Sequence, residues 1–248
     1  MFDAQVLDAF KRHAIATYPE ECVGAITPEG YAPLPNVATD PQGVVDPSEW
    51  RRRRFDGGRR VVELIAAEQL LALVHSHPDG PEGPSALDQR QQTAMSIPWG
   101  ICACNAEVAS EPYFWGDDLP VPELLGRMFR HGPSGTDARG DCGALVRDWY
   151  RLERGLLLPD CPRDDDWWNA GGNLYLEHYS RAGFAHASMD QPEVGDVALM
   201  QIRATVPNHA GIYVGDGMVM HHLTRRLSRI EPIGPWLKHV TAWMRHHA

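Results

Sequence analysis

Apolar residues at Val6, Phe10 and Ala14 recur at helical spacing behind Asp3, which is placed to cap a first turn. The pattern predicts an opening helix that ends at "TYP" (17–19). "ECVGAI" then reads as a strand and "YAPLPNVA" as another short extended piece. Past the arginine run 51–54, "VVELIAAEQLLALVHSH" mixes a helical or turn-like part with the apolar strand "LLALV". Ser85 opens a helical stretch, "ALDQRQQTAMSI", which Pro98 stops, and "GICACNA" and "EPYFWG" read as closing strands. In "GDDLPVPELLGR" two prolines and the lack of apolar periodicity before Glu123 mark a linker. Beyond it, Leu145, Val146, Trp149 and Leu152 share one face of a helix that begins near Asp141. "VGDVALMQI", "NHAGIYV" and "MVMHHL" follow as strands. The expected architecture is α+β in two domains, residues 1–117 and 118–248, with the linker at about 117–123.

Composition narrows the function classes. The chain has 248 residues, 43% hydrophobic and 23% charged, an ordinary globular balance for one large or two ordinary domains. Its formal charge of −10 argues against nucleic acid or an anionic membrane as partner, so the basic run at Arg51–Arg54 reads as solvated surface. No window has the uncharged apolar length of a membrane span. The start, "MFDAQVLDAF", is acidic and amphipathic, unlike a secretory signal, which leads to the expectation of folding in a cytoplasm. Five cysteines, an odd number in a chain of this length, are expected to be reduced thiols.

Two groups of residues carry chemistry. His75 and His77 are two apart at the end of a strand, so both rings face the same side. Asp88 is the third residue after Ser85, in the first turn of a helix that can swing it back toward those rings. Zinc takes imidazole nitrogen and carboxylate oxygen, and three such ligands leave one tetrahedral position for water. A base for that water must come from elsewhere; Glu20 and Glu21, at the start of a predicted strand, are the natural suppliers. Ser85 is placed to donate to a developing oxyanion. Each piece alone is weak, since "SALD" is also a capping box and a lone H-x-H is commonly accidental. Joined, they resemble the JAB1/MPN (JAMM) metalloprotease motif, E…H-x-H-P…S-x-x-D, over about the first 115 residues. "PEECVG" is similar to that family's P-x-E-x-C-G segment, with Val23 where cysteine is common, and the resemblance favours Glu21 as the base. It implies Zn2+ held by His75, His77 and Asp88, a cytidine-deaminase-like α/β domain and hydrolysis of peptide or isopeptide bonds.

The second group is built on Cys142. A cysteine at a helix N-terminus sits where unpaired N–H groups favour thiolate. Its base is expected at His209, in a hairpin that turns at Gly215-Asp216-Gly217; His209 would face residue 223, with His221 diagonally beside it. "DCGALV", "HAGIYVGDG" and "MHH" resemble the NlpC/P60 family of papain-like cysteine peptidases. The resemblance implies a Cys142–His209–His221 triad, with His222 as an alternative third member, and cell-wall stem peptides as substrate. Members commonly carry a tyrosine upstream of the nucleophile; here Phe129 or His131 occupies that region, which leaves the oxyanion donor open.

Both motifs on one chain resemble the tail-tip assembly protein K family of lambda-like siphophages. That implies other tail-tip proteins as partners, peptidoglycan as a wall target, assembly in the host cytoplasm and residence at the virion tail tip. Two readings compete: a structural tail component that retains both folds without catalysis, and a cellular isopeptidase or peptidoglycan hydrolase fusion.

Overall fold

The computed structural model describes residues 2–247, which form two compact units: residues to Pro84 with Arg90–Pro120, and Ser85–Gln89 with the residues from Val121 onward. In the first, the Asp3 carboxylate accepts the Gln5 N–H at 2.7 Å and starts α1 (Ala4–Thr17), whose Phe10 and Ala14 are fully buried. β1 (Val23–Thr27) and β2 (Gly30–Leu34) form a hairpin. α2 (Pro47–Arg51), α3 (Gly58–Ala66) and β3 (Ala72–Pro78) follow. α4 (Ala86–Met95) then connects β3 to the parallel strand β4 (Trp99–Cys104), and β5 (Tyr113–Trp115) closes the sheet in the order β2-β1-β3-β4-β5.

Alternation along β3 divides its side chains between two cores. Ala72 and Val74 join Phe10, Ala14 and Ile26. Leu73 joins Val61, Leu64, Trp99 and Ile101, and the alternation carries His75 and His77 to that same face. The expected strand "LLALV" begins later than its apolar run, at Ala72. Leu70 and Leu71 are spent on the turn out of α3, where Glu68 takes a left-handed φ of 56°, and Leu71 is 44% exposed. The short α2 was not foreseen: Asp46 caps it and Pro47 opens it, so the arginine run begins on a helix.

The second unit contains a two-stranded parallel pair, β6 (Met128–Phe129) and β7 (Arg139–Gly140), and then α5 (Cys142–Arg154) and the short α6 (Leu174–His178). Its main strands are β8 (Phe184–His186), β9 (Val197–Met200), β10 (His209–Gly215), β11 (Met218–His221), β12 (Arg229–Pro232) and β13 (Val240–His246). They make an antiparallel sheet in the order β12-β11-β10-β9-β13-β8. Leu145, Val146, Trp149 and Tyr150 of α5 pack with Val197, Leu199, Ile212 and Met220; each such large apolar side chain stabilises the fold by about 1.5–3 kcal/mol. Leu152, expected on the buried face, lies at its edge and is 54% exposed; Tyr150 is buried in its place, donating its hydroxyl to Gly195 O at 2.6 Å. Gly155 ends the helix at a left-handed φ of 64°.

The β10–β11 hairpin turns on Asp216 and Gly217, both at positive φ, with a bulge between Tyr213 and Gly215. The bulge restores the register expected from a longer turn, pairing Gly211 with His221. β8, β12 and β13 were not foreseen. β13 inserts between β9 and β8, a pairing made by residues far apart in the chain.

Candidate functional site

On β3, His75 Nε2 and His77 Nε2 lie 3.1 Å apart. His77 Nδ1 is 2.9 Å from Pro81 O, and a carbonyl only accepts, so Nδ1 carries the hydrogen and the Nε2 lone pair is directed at the His75 ring. Phe55 stacks on His75 with centroids 4.2 Å apart, which fixes that ring's plane. Asp88 Oδ2 accepts from both the N–H and the hydroxyl of Ser85, each at 2.7 Å, while Asp88 N–H returns a bond to Ser85 Oγ at 3.2 Å. Ser85 therefore aims Asp88, and in this geometry its hydroxyl proton goes to that carboxylate. One ligand atom from each of His75, His77 and Asp88 lies within 4.8 Å of the others, and all three residues are buried. Two imidazole nitrogens and a carboxylate oxygen, with one tautomer locked by a carbonyl, fit a borderline divalent ion such as zinc.

The two glutamates are separated by their surroundings. Glu20 is engaged by Arg51 through two bonds of 2.7 and 3.0 Å. Glu21 is 7% exposed and adjoins Cys22, whose N–H donates to Ser76 Oγ and whose carbonyl accepts the Ser76 N–H, Ser76 being the residue between the two histidines. The structure thus places Glu21, and not Glu20, inside beside the His75–His77 segment.

In the second unit Asp141 caps α5, accepting Ala144 N–H at 2.9 Å, and Cys142 is the first residue of the helix. Cys142 Sγ lies 3.2 Å from the Tyr175 hydroxyl, and the Ala210 N–H also bonds the thiol. Ala210 follows His209 on β10, which packs against α5. His209 Nε2 is 3.0 Å from His221 Nδ1, and His221 Nε2 is 2.8 Å from Glu231 Oε1. His222 lies just past the end of β11, fully buried, with the ring of Phe129 edge-on at 5.3 Å; the partner of His209 is His221. The hydroxyl beside Sγ is that of Tyr175, while His131 lies 3.8 Å from Asp141 and Phe129 packs on His222.

A helix N-terminus favours thiolate, yet here the surroundings of Cys142 favour the thiol. Burial, and after it the negative charge of Asp141, push Cys142 up to about 11, outweighing the bonds from Tyr175 and Ala210. Burial, with His221 beside it, pushes His209 down to about 3. Both shifts favour the neutral thiol and the neutral imidazole. Asp141 is held at about 2 in spite of its burial, because Arg163 grips it with bonds of 2.7 and 2.8 Å.

These shifts make the fold acid-labile. A histidine depressed from 6.5 keeps its full stabilisation only above 6.5; below that the unfolded chain takes up a proton that the folded site refuses. His209 alone is expected to cost about 3 kcal/mol between pH 6.5 and pH 4. Asp141 adds a loss only as pH falls through its unfolded value of 3.8 toward about 2. Urea unfolding across this range should show a shallower pH slope in His209→Asn than in the wild type; equal slopes would rule this account out.

Sequence reasoning missed Tyr175, Arg163 and Glu231. Tyr175 sits in a five-residue helix with no periodic signal. Arg163 lies in an irregular segment. Glu231 is brought near by register alone: His221 pairs with Arg229, so Glu231 is its diagonal neighbour on the next strand.

The first part of the chain matches the family of prokaryotic homologs of the JAB domain, over residues 3–115, and the second matches the NlpC/P60 family over residues 126–245. Tail tip assembly protein K of Escherichia phage lambda is 34% identical over 205 residues, covering 82% of this chain and 90% of that one. Its namesake in Escherichia phage N15 is 32% identical over 239 residues, covering 93% and 89%. Among solved structures, an NlpC/P60 family protein from Bacillus cereus ATCC 10987 aligns at 14% identity with a TM-score of 0.38, covering 100% of this chain and 68% of that one. With both matches in this order and this likeness over most of its length, the chain belongs to the tail tip assembly protein K family, a JAB-like domain followed by an NlpC/P60 domain.

Proposed function

We propose that this chain is a phage tail-tip protein with two amide-hydrolase sites. The C-terminal site, at Cys142, cuts peptidoglycan stem peptides; the N-terminal site cuts a peptide or isopeptide bond. The observation that carries this reading is the buried centre in which Cys142 opens α5 beside Tyr175 and Ala210, with His209 linked to His221. His209 takes the thiol proton as sulfur bonds to the scissile carbonyl carbon, and returns it to the amine as the carbon–nitrogen bond breaks. Water then attacks the thioester, its proton passes through His209 back to sulfur, and the acid is released. The Tyr175 hydroxyl is held protonated by burial and by its position beside Cys142, so it remains a donor for the oxyanion. The work is placed at the virion tail tip, among other tail-tip proteins, after assembly in the host cytoplasm.

At the N-terminal site His75, His77 and Asp88 would hold the ion, which we take to be zinc. Bound there, it would polarise a carbonyl and acidify a water. Glu21 is assigned as proton carrier at its carboxylate, and Ser85 holds the Asp88 carboxylate in place. Elemental analysis of protein purified without chelator is expected to find about one zinc per chain, lost in His75→Ala; a metal-free wild type would end this half of the reading. The wall-cutting half is tested by release of soluble muropeptides from purified sacculi, compared with Cys142→Ala.

A further inference from the structure

Glu231 stands outside the triad expected from the family motif, on the neighbouring strand β12. We propose that Glu231 is a positioning residue that sets the tautomer of both histidines and so leaves His209 Nδ1 as the basic atom; this rests on the cysteine-peptidase reading of the second site.

A hydrogen-bonded chain runs from Trp236 through Glu231 and His221 to His209. Glu231 Oε1 receives the Trp236 Nε1–H at 2.9 Å, and an indole nitrogen only donates. The same oxygen lies 2.8 Å from His221 Nε2, and Arg229 stands 4.0 Å from Oε2. A carboxylate in this setting is ionised and accepts, so His221 Nε2 must carry a hydrogen. In neutral His221 that leaves Nδ1 as a bare lone pair. His209 Nε2, 3.0 Å from that lone pair, must then carry its own hydrogen. Neutral His209 has one hydrogen to place, and it is on Nε2. Nδ1 is therefore the free base of the ring.

The alternative arrangement shows what Glu231 prevents. If His221 carried its hydrogen on Nδ1, it would donate to His209, whose hydrogen would move to Nδ1. The base would then hold a proton at the atom that has to receive one. In water the two tautomers of an imidazole differ little in free energy, so a single fixed acceptor decides between them. His221 is 1% exposed, so its ring has little surface to offer a competing partner from solvent. Its edge-on contact with Trp236, centroids 4.8 Å apart, holds the ring so that Nε2 faces the carboxylate.

The test reads the tautomers directly and needs no substrate. In protein labelled with 15N-histidine, long-range 15N–1H correlation spectra of the wild type at neutral pH should show both His209 and His221 as Nε2–H forms. In Glu231→Leu, which cannot accept, His221 and His209 should lose that preference together. In Glu231→Gln, whose amide oxygen can still accept, the preference should be partly kept. Turnover of peptidoglycan should fall about 100-fold in kcat in Glu231→Leu with KM nearly unchanged, in line with losing the group that orients a catalytic imidazole. Unchanged tautomers in Glu231→Leu, with the variant folded by circular dichroism, would overturn the proposal, as would Nδ1–H forms in the wild type. If the tautomers respond as expected but Cys142→Ala digests sacculi as well as the wild type does, then the cysteine-peptidase reading fails and the positioning role of Glu231 on the two rings stands.

Discussion

Cys142→Ala is expected to reduce release of muropeptides from purified sacculi by at least about 1000-fold, to the level of a no-enzyme control. The magnitude follows from the mechanism proposed above, in which the sulfur is the atom that bonds to the substrate, and alanine offers nothing in its place. Substitution of a small, 8% exposed side chain by one still smaller leaves α5 capped by Asp141 and packed through Leu145 and Trp149, so the loss is chemical and the fold survives. Tyr175→Phe on the same assay separates the donor from the nucleophile. It removes one hydroxyl that bonds the thiol, and an oxyanion donor of this kind is worth about 100-fold in kcat. Equal digestion by wild type and Cys142→Ala would leave the C-terminal unit as scaffold. Full activity in Tyr175→Phe would remove that hydroxyl from the oxyanion site while leaving the cysteine mechanism intact.

Arg163→Leu is expected to destabilise the protein by about 3–5 kcal/mol, the cost of stranding a buried charge. Asp141 is 4% exposed, and both its oxygens are committed: Oδ1 to Ala144 N–H and Arg163, Oδ2 to Gly132 N–H and Arg163. Without the guanidinium the carboxylate must stay charged in an apolar setting or take up a proton and weaken the cap of α5. The companion variant Arg163→Leu with Asp141→Asn leaves no charge stranded at the cap and keeps a capping oxygen, and the Asp160 carboxylate that also loses Arg163 is less deeply buried, so it should recover most of the loss. Guanidinium unfolding measures both. A cost below about 1 kcal/mol for Arg163→Leu, or no recovery in the double variant, would show that the pair does not act in this way. The pair bears on the proposed function because the cap it holds sits one residue before Cys142.

The charge state of the Cys142 thiol is where local chemistry and the fold part company. The position of Cys142 at a helix start is legible from "GDCGALV", and dipole and amide arguments at that position favour thiolate. Burial reverses the sign, and the amount of burial depends on Tyr175, Ala210 and Asp141 closing over the sulfur. The same division holds for the histidines. Their hairpin register follows from alternation and the length of the turn, so the nearness of His209 and His221 could be read in advance. Which of their four nitrogens carries hydrogen is decided by Glu231 on a further strand, and nothing in "MVMHHL" points to it.

What the sequence by itself determined is therefore the set of short-range relations. These are His75 and His77 on one face of a strand, Ser85 and Asp88 in one capping turn, Cys142 at the head of a helix, and His209 diagonal to His221. Each depends on a repeat of two or 3.6 residues, or on a turn of a few residues, and such geometry is written into neighbouring positions. Only the tertiary structure decided that Glu21 rather than Glu20 is buried, that Tyr175 reaches the thiol, that Arg163 neutralises the cap and that Glu231 ends the proton chain. Those contacts join residues on different elements, 10 to 33 positions apart, and they form because burying a polar group is costly until some partner, wherever it lies in the sequence, has been brought to it.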